Sequence, residues 1–145
     1  MRIYLGNKMS GVPYFNAPWF DRSAAILEGL DFEVFNPAAH DRAMGFDPMS
    51  CPNGSPEEAK AAGFCLQDAL GFDWNWIAHH SEGLVIGPGW RTSKGTVSEI
   101  ACHQALGLPV WEFAVFVRNP WSARVSPEIY ALPPLLELGN LELSQ

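Results

Sequence analysis

The alternation of strand and helix signals at the start of the chain constrains the fold more than any other feature. Arg2 to Leu5 is a short β-type run that ends abruptly in Gly6-Asn7-Lys8-Met9-Ser10-Gly11, a strand running into a loop. From Asn16 the apolar residues Trp19, Phe20, Ala24, Ile26, Leu27 and Leu30 recur at helical spacing, and Pro18 is tolerated in a first turn. This predicts a helix of about four turns. Phe32 to Phe35 reads as a second strand, stopped by Asn36-Pro37. Strand, helix and strand within roughly 35 residues make a right-handed βαβ unit with parallel strands.

The pattern repeats further along. Asp41 to Pro56 carries Gly45, Pro48, Pro52, Gly54 and Pro56 among polar residues, which is the composition of a loop or a mobile lid. Glu57 to about His80 is helical in pattern, with a break expected near Gly71. Gly83-Leu84-Val85-Ile86 is an apolar strand leading into Gly87-Pro88-Gly89-Trp90, Gly95-Thr96 opens another helix, and Pro109 to Val117 supplies a last strand. The expected fold is therefore α/β: a Rossmann-like or flavodoxin-like parallel sheet of four or five strands with helices on both faces. Ligands bind outside the carboxyl ends of the strands in such sheets.

A chain of 145 residues fits one domain, here residues 1–117, followed by a Pro- and Leu-rich tail over 118–145 that shows no βα repeat. An apolar tail of this kind is expected to pack on its own domain or to join a homo-oligomer, most simply a dimer. The 16 acidic and 9 basic residues give a net charge of −7, which argues against polymeric nucleic acid as partner. An anionic small molecule remains open to an acidic protein, because backbone N–H groups and one or two cations suffice to hold it. No apolar run is long enough for a membrane span and the start lacks a secretory pattern, so the expectation is a soluble, cytoplasmic protein. Cys51, Cys65 and Cys102 are odd in number and widely spaced, which points to reduced, structural thiols.

Two loops follow parallel strands and should lie side by side: Gly6 to Gly11 and Gly87 to Gly95. In the second, Gly87, Gly89 and Gly95 would let the backbone approach a ligand, Ser93 and Thr96 offer hydroxyls, Lys94 offers a charge, and a helix N-terminus presents N–H groups. The combination suits a phosphate. The same residues also suit a plain strand ending with Thr96 capping the helix. Glu99 lies one turn into that helix, where its carboxylate faces the loop, although a first-turn acid also satisfies the helix dipole. His103 is four residues on, where it could hydrogen-bond Glu99, although a structural role is the expectation. Asp73, in Asp73-Trp74-Asn75-Trp76-Ile77, and Asp68 are rival polar residues on the preceding helix, and periodicity does not separate them. Adjacent His79 and His80 point apart on a helix, so no metal is expected. Trp19, Trp74, Trp76 and Trp90 can either stack a base or pack the core.

Ile3-Tyr4-Leu5 with Met9-Ser10-Gly11-Val12-Pro13, Tyr14-Phe15-Asn16-Ala17-Pro18, Asn36-Pro37, Asp73-Trp74-Asn75-Trp76-Ile77, and Pro88-Gly89-Trp90 with Ser93, Gly95 and Glu99 occur in this order. Together they resemble a phage and bacterial family of uncharacterised domains similar to the nucleoside 2-deoxyribosyltransferase superfamily, which includes the 2'-deoxynucleoside 5'-phosphate N-hydrolases. The resemblance spans about residues 1 to 113.

It implies that Glu99 is a nucleophile that attacks the anomeric carbon of a deoxyribosyl group, by the logic of retaining glycosidases. It implies that Asp73, rather than Asp68, helps hold the sugar and the nucleophile. A Glu99 near its reference pKa would be ionised at pH 7. Transferases acting on nucleosides carry an acid six positions before the nucleophile, whereas the monophosphate hydrolases carry a serine, and here the residue is Ser93. The expected substrate is accordingly a nucleoside 5'-monophosphate, held by Tyr4, Gly6, Asn7, Lys8 and Met9 from the first loop and Gly87, Gly89, Trp90, Ser93, Lys94 and Gly95 from the second. A deoxyribosyltransferase and a nucleotide-binding protein without turnover are the alternatives. No organic cofactor or metal is implied. The chain departs from the family's usual Ala-Gly-Pro before the Met, having Gly6-Asn7-Lys8, which alters the substrate pocket. Its Gly95-Thr96-x-x-Glu99 spacing also resembles that of phosphoribohydrolases that release cytokinin bases, but Pro88-Gly89-Trp90 does not match their Pro-Gly-Gly loop.

Overall fold

Strand β1 (Arg2–Gly6) forms the middle of a parallel sheet because its residues are apolar on both sides, as a strand covered on two faces requires. The computed structural model describes residues 1–120. β1 pairs with β2 (Glu33–Phe35) on one side and β3 (Gly83–Ile86) on the other, and β3 pairs with β4 (Val110–Glu112), giving the order β2-β1-β3-β4. All pairings are parallel. Alternate side chains divide the core. Ile3, Leu5, Val85 and Trp111 pack with Phe20, Ala24 and Leu27 of α1 (Ala17–Gly29), whereas Tyr4, Leu84, Ile86 and Val110 pack with Ile77 of α4 (Leu66–His80) and Ile100 of α5 (Lys94–Ala105). The fold is thus an α/β sheet with helices on both faces, consistent with a Rossmann-like or flavodoxin-like arrangement of four strands.

The order in which successive strands are laid down reverses between β1 and β3, the position at which doubly wound sheets open a crevice. The two loops expected to be neighbours do meet there, since Gly87 N–H donates to the Gly6 carbonyl at 2.8 Å.

Three local expectations are corrected. The last strand stops at Glu112 instead of reaching Val117, because β3 supplies pairing partners only as far as Ile86. The chain then turns into α6 (Phe113–Phe116), which buries Phe116 against Phe32 and Trp111. The segment from Asp41 to Pro56 is fastened rather than a free loop. α2 (Pro37–Ala43), capped by the Asn36 side chain, extends into it, and Phe46 and Cys51 are buried with Phe15 and Ala59. Gly11 N–H and Tyr14 N–H donate to the carbonyls of Gly54 and Cys51. The helical stretch from Glu57 breaks at Gly63, not at Gly71. α3 (Pro56–Ala61) begins with a capping box from Ser55 and Glu58. It closes with Gly63 N–H donating to Lys60 O and Phe64 N–H to Ala59 O, an arrangement that needs the left-handed φ of +85° at Gly63. Gly71 meets no such demand, and α4 runs through it.

Among the described residues no helix is long and apolar enough to cross a membrane. Most of the tail expected to join an oligomer interface, from residue 121 onward, lies outside the described residues.

Candidate functional site

Helix α5 starts where the loop after β3 ends, and Ser93 rather than Thr96 is its cap. Ser93 Oγ accepts from Thr96 N–H at 3.2 Å and from Thr96 Oγ1 at 2.9 Å, so its own hydroxyl proton is left to donate outward. The N–H groups of Lys94 and Gly95 precede any intrahelical acceptor. They border a cavity of about 630 Å³ at the carboxyl ends of β1 and β3. A Cβ on Gly95 would meet only Ser93 Oγ, at 3.9 Å, so the missing side chain leaves open space above the helix N-terminus.

One turn further on, Glu99 is 7% exposed on the cavity wall. Its Oε1 accepts from the Tyr4 hydroxyl at 2.9 Å, whereas Oε2 is buried with no hydrogen-bond partner among the described residues. Burial pushes the carboxyl up to about 8, the Tyr4 hydrogen bond opposes that rise, and the charge of Asp73 adds to it. Glu99 is therefore mostly protonated at pH 7, contrary to the expectation of an ordinary, ionised glutamate. Asp73, on α4, lines the same cavity and is pushed up to about 6 by burial, with the Tyr4 hydroxyl again opposing the rise. Asp68 does not line this cavity but a neighbouring one.

The structure brings Gly6, Asn7, Lys8, Met9, Asp73, Ser93, Lys94, Gly95 and Glu99 together on one cavity. It does not bring Tyr4, Gly87, Gly89 or Trp90 to its wall. Tyr4 is fully buried and acts through Glu99. Trp90 is buried in the core beside Ile86 and Ile100, with the Arg91 guanidinium 4.5 Å over its ring. Gly87 and Gly89 are small to admit Asn7, not a ligand. A Cβ on Gly87 would stand 2.2 Å from Asn7 Nδ2, and one on Gly89 would stand 3.0 Å from Asn7 Oδ1. Asn7 is buried and knits the two loops together, its Oδ1 accepting from Lys8 N–H at 2.8 Å and Gly89 N–H at 3.0 Å. Lys8 reaches over to donate from Nζ to Thr92 Oγ1 at 3.1 Å. The Gly6-Asn7-Lys8 departure thus has a structural half and a cationic half.

His103 is fully buried and touches the backbone of Glu99 rather than its carboxylate. Its Nδ1–H donates to the Glu99 carbonyl at 2.7 Å and its Nε2 pairs with Ser81 Oγ at 2.8 Å. Burial pulls it down to about 4, so the ring is neutral at pH 7 and ties α5 to the end of α4. Trp19 and Trp76 pack against core aromatics. Of Trp19, Trp74, Trp76 and Trp90 only Trp74 lines the cavity; it is 42% exposed and its Nε1–H donates to Ser98 Oγ at 3.2 Å. Sequence reasoning missed Asp41, which lies on the same cavity and is nine-tenths buried, pushed up to about 7 by burial and by Asp73. Among the described residues no group of three or more His, Cys, Asp or Glu side chains is arranged to hold a metal.

The Tyr4 hydroxyl is the group that restrains the rise at Glu99. In Tyr4→Phe the Glu99 carboxyl is expected to titrate higher than in the wild type. A carbon-13 titration of the side-chain carboxyl checks this, with a wild-type midpoint expected near 8 and an upward move in the variant. A midpoint in the ordinary carboxylate range for both proteins would contradict it.

No curated protein and no solved structure matches the chain. A family model does match, over residues 1–112, and it contains both loops, Asp73 and Glu99. The chain belongs to the family described as Domain of unknown function (DUF4406).

Proposed function

We propose that the protein is an N-glycosidase that hydrolyses (deoxy)nucleoside 5'-monophosphates, with Glu99 as nucleophile. The observation that carries this reading is the buried Glu99 carboxyl on a cavity at the carboxyl ends of the strands, gripped at Oε1 by Tyr4 and, among the described residues, without a hydrogen-bond partner at Oε2. An uncompensated buried carboxyl costs stability, and a carboxylate that must bond to carbon needs one oxygen free. The resemblance to the nucleoside 2-deoxyribosyltransferase superfamily supports the same role for Glu99 and a sugar-holding role for Asp73.

In the reaction the ionised Glu99 bonds to C1′ as the bond from C1′ to the base breaks, the electron pair leaving with the base. Water then attacks C1′ and frees Glu99. The 5'-phosphate would sit at the end of the cavity lined by the Ser93 hydroxyl, the first N–H groups of α5, Lys94 and Lys8. With Glu99 titrating at about 8, roughly a tenth is ionised at pH 7. Activity should therefore fall as pH drops through about 8. The same protonation favours a second reading, nucleotide binding without turnover, because a neutral carboxyl can donate a hydrogen bond without repelling a phosphate.

Release of free base from a panel of nucleoside and deoxynucleoside 5'-monophosphates tests the proposal, with a competing base added to one set. Hydrolysis is expected; exchange of the base would make the protein a transferase, and binding without release would favour the second reading. Lys8→Ala and Lys94→Ala are each expected to raise KM for monophosphates by about 10- to 100-fold, the worth of a charge-assisted contact. Turnover of the corresponding nucleosides should change little. Equal effects on nucleosides and nucleotides would remove the phosphate from this end of the cavity.

A further inference from the structure

Asp41 has no part in the reaction described so far. It projects from α2 with 9% of its surface exposed, and among the described residues its carboxyl has no hydrogen-bond partner. It lines the main cavity and also a second, largely apolar recess of about 450 Å³, to whose wall Met9, Ser10, Phe64 and Leu66 are likewise common. Asp41 is the only titratable group shared by the two spaces. No residue of α5 lines the recess, so the two spaces adjoin on a side of the main cavity that the α5 N-terminus does not build.

The wall of this recess is held under backbone strain. Tyr14, Phe15 and Asn16 take left-handed φ values of +56°, +50° and +60°, a conformation that residues with side chains rarely adopt even singly. Their surroundings fix it: Tyr14 N–H donates to Cys51 O at 3.0 Å, Phe15 N–H to Val12 O at 2.9 Å, and Asn16 Nδ2 to Lys8 O at 2.9 Å. The turn sets the Phe15 ring edge-on to Phe46, with centroids 5.9 Å apart, and the Phe64 ring lies 4.8 Å from Phe46. Strain of this kind concentrates where a ligand is clamped.

A nucleotide with C1′ at Glu99 and its phosphate at the α5 N-terminus has only its base left to place, and the side of the cavity that leads into the recess is left to take it. Aromatic walls with a few polar groups suit a base. We propose that Asp41 is the residue that selects the base, accepting a hydrogen bond from an exocyclic amine, so that the substrates are monophosphates of amino-bearing bases. The inference rests on the placement of the nucleotide in the glycosidase reading. A buried carboxyl without a protein partner gains one from a donor that the ligand brings. Adenine, cytosine and guanine each carry such an amine. The oxo group that replaces it in hypoxanthine and uracil turns lone pairs toward the carboxylate instead. Asp73 keeps its sugar-holding role, beside the Tyr4 hydroxyl that also grips Glu99.

The test compares nucleotides that differ only in amine against oxo group: deoxyadenosine with deoxyinosine 5'-monophosphate, and deoxycytidine with deoxyuridine 5'-monophosphate. Their Kd values are measured by calorimetry on the full chain carrying Glu99→Gln, which prevents turnover, at about pH 9, where Asp41 is ionised. The amino member of a pair is expected to bind about 10- to 100-fold tighter than the oxo member, the worth of a charge-assisted hydrogen bond. Adding Asp41→Ala should remove that margin by weakening the amino member, with the oxo member changing by less than about threefold. Asp41→Asn keeps the shape and should narrow the margin too, because its amide can turn an N–H toward the oxo group. Equal weakening of both members in the two Asp41 variants, or no preference before Asp41 is changed, would overturn the selecting role. Base release by the wild type separates this failure from the other: release without a preference for amines leaves the glycosidase reading standing, and a protein that neither binds nor cleaves any of the four nucleotides would overturn both.

Discussion

Glu99→Gln is expected to abolish base release and, on the alkaline side, to make the protein more stable. The first effect follows because an amide cannot serve as the nucleophile, and losses of about 10³-fold or more are usual for that role. The second follows from linkage. The Glu99 carboxyl ionises near 4.5 when unfolded but at about 8 in the folded protein. Between those values the unfolded chain has released a proton that the folded chain retains, so stability falls as pH rises through the window. Glutamine is neutral throughout and does not carry that slope. The variant should match the wild type below about pH 4.5 and exceed it at pH 8 by on the order of a few kcal/mol. Thermal melting at the two pH values checks the point. Parallel melting curves across the range would show that the folded protein holds Glu99 as an ordinary carboxylate. The retention of so costly a group in the core is what a functional site looks like energetically.

Gly87→Ala should unfold the site from the other side. The new methyl would be placed 2.2 Å from Asn7 Nδ2 and 2.6 Å from Trp19 Cζ2, closer than side-chain atoms approach, so a neighbour must shift. Asn7 would leave its seat, breaking its hydrogen bond to Gly89 N–H and parting the two loops. Overpacking together with the lost bond gives a destabilisation of about 3 kcal/mol. Asn7→Gly, which restores the residue type usual in the family that the sequence resembles, opens the space. The double variant Asn7→Gly/Gly87→Ala should therefore be more stable than the sum of the single changes by about 1 kcal/mol, with Trp19 limiting the recovery. Denaturant unfolding of the four proteins measures this coupling, and strict additivity would mean that Asn7 and Gly87 do not share the space.

These two residues illustrate what the sequence conceals. A glycine at the end of a parallel strand reads equally well as a ligand approach or as room for a neighbour. Gly87 and Gly89 make room for Asn7 whereas Gly95 borders open space, and only the position of Asn7 from the other loop decides it. Glu99, Ser93 and Lys94 were legible because each occupies a strand end or a helix turn whose direction is fixed by local periodicity, whereas Asp73 was separated from Asp68 only by the family resemblance. Asp41 was not. It lies where Gly and Pro enrichment signals a loop, and its meeting with Asp73 depends on how α2 and α4 pack on the sheet. The same holds for the helix break. Gly63 and Gly71 look alike in sequence, but the carbonyls of Lys60 and Ala59 require a left-handed residue only at Gly63. The sheet itself was legible because Ile3, Tyr4 and Leu5, and Leu84, Val85 and Ile86, are apolar at every position, as only a strand covered on both faces requires. The length of β4 was hidden, since Phe113 to Phe116 satisfies a strand pattern and a helical turn equally.

The measurement that bears most directly on the central claim is intact-protein mass spectrometry of acid-quenched reactions with deoxynucleoside 5'-monophosphates, made alongside the assay of released base. The wild-type protein should carry a deoxyribosyl 5-phosphate adduct that peptide mapping places on Glu99, and Glu99→Gln should carry none and release no base. Base released at the same rate by Glu99→Gln, or a nucleotide that binds the wild type without adduct or release, would contradict the account.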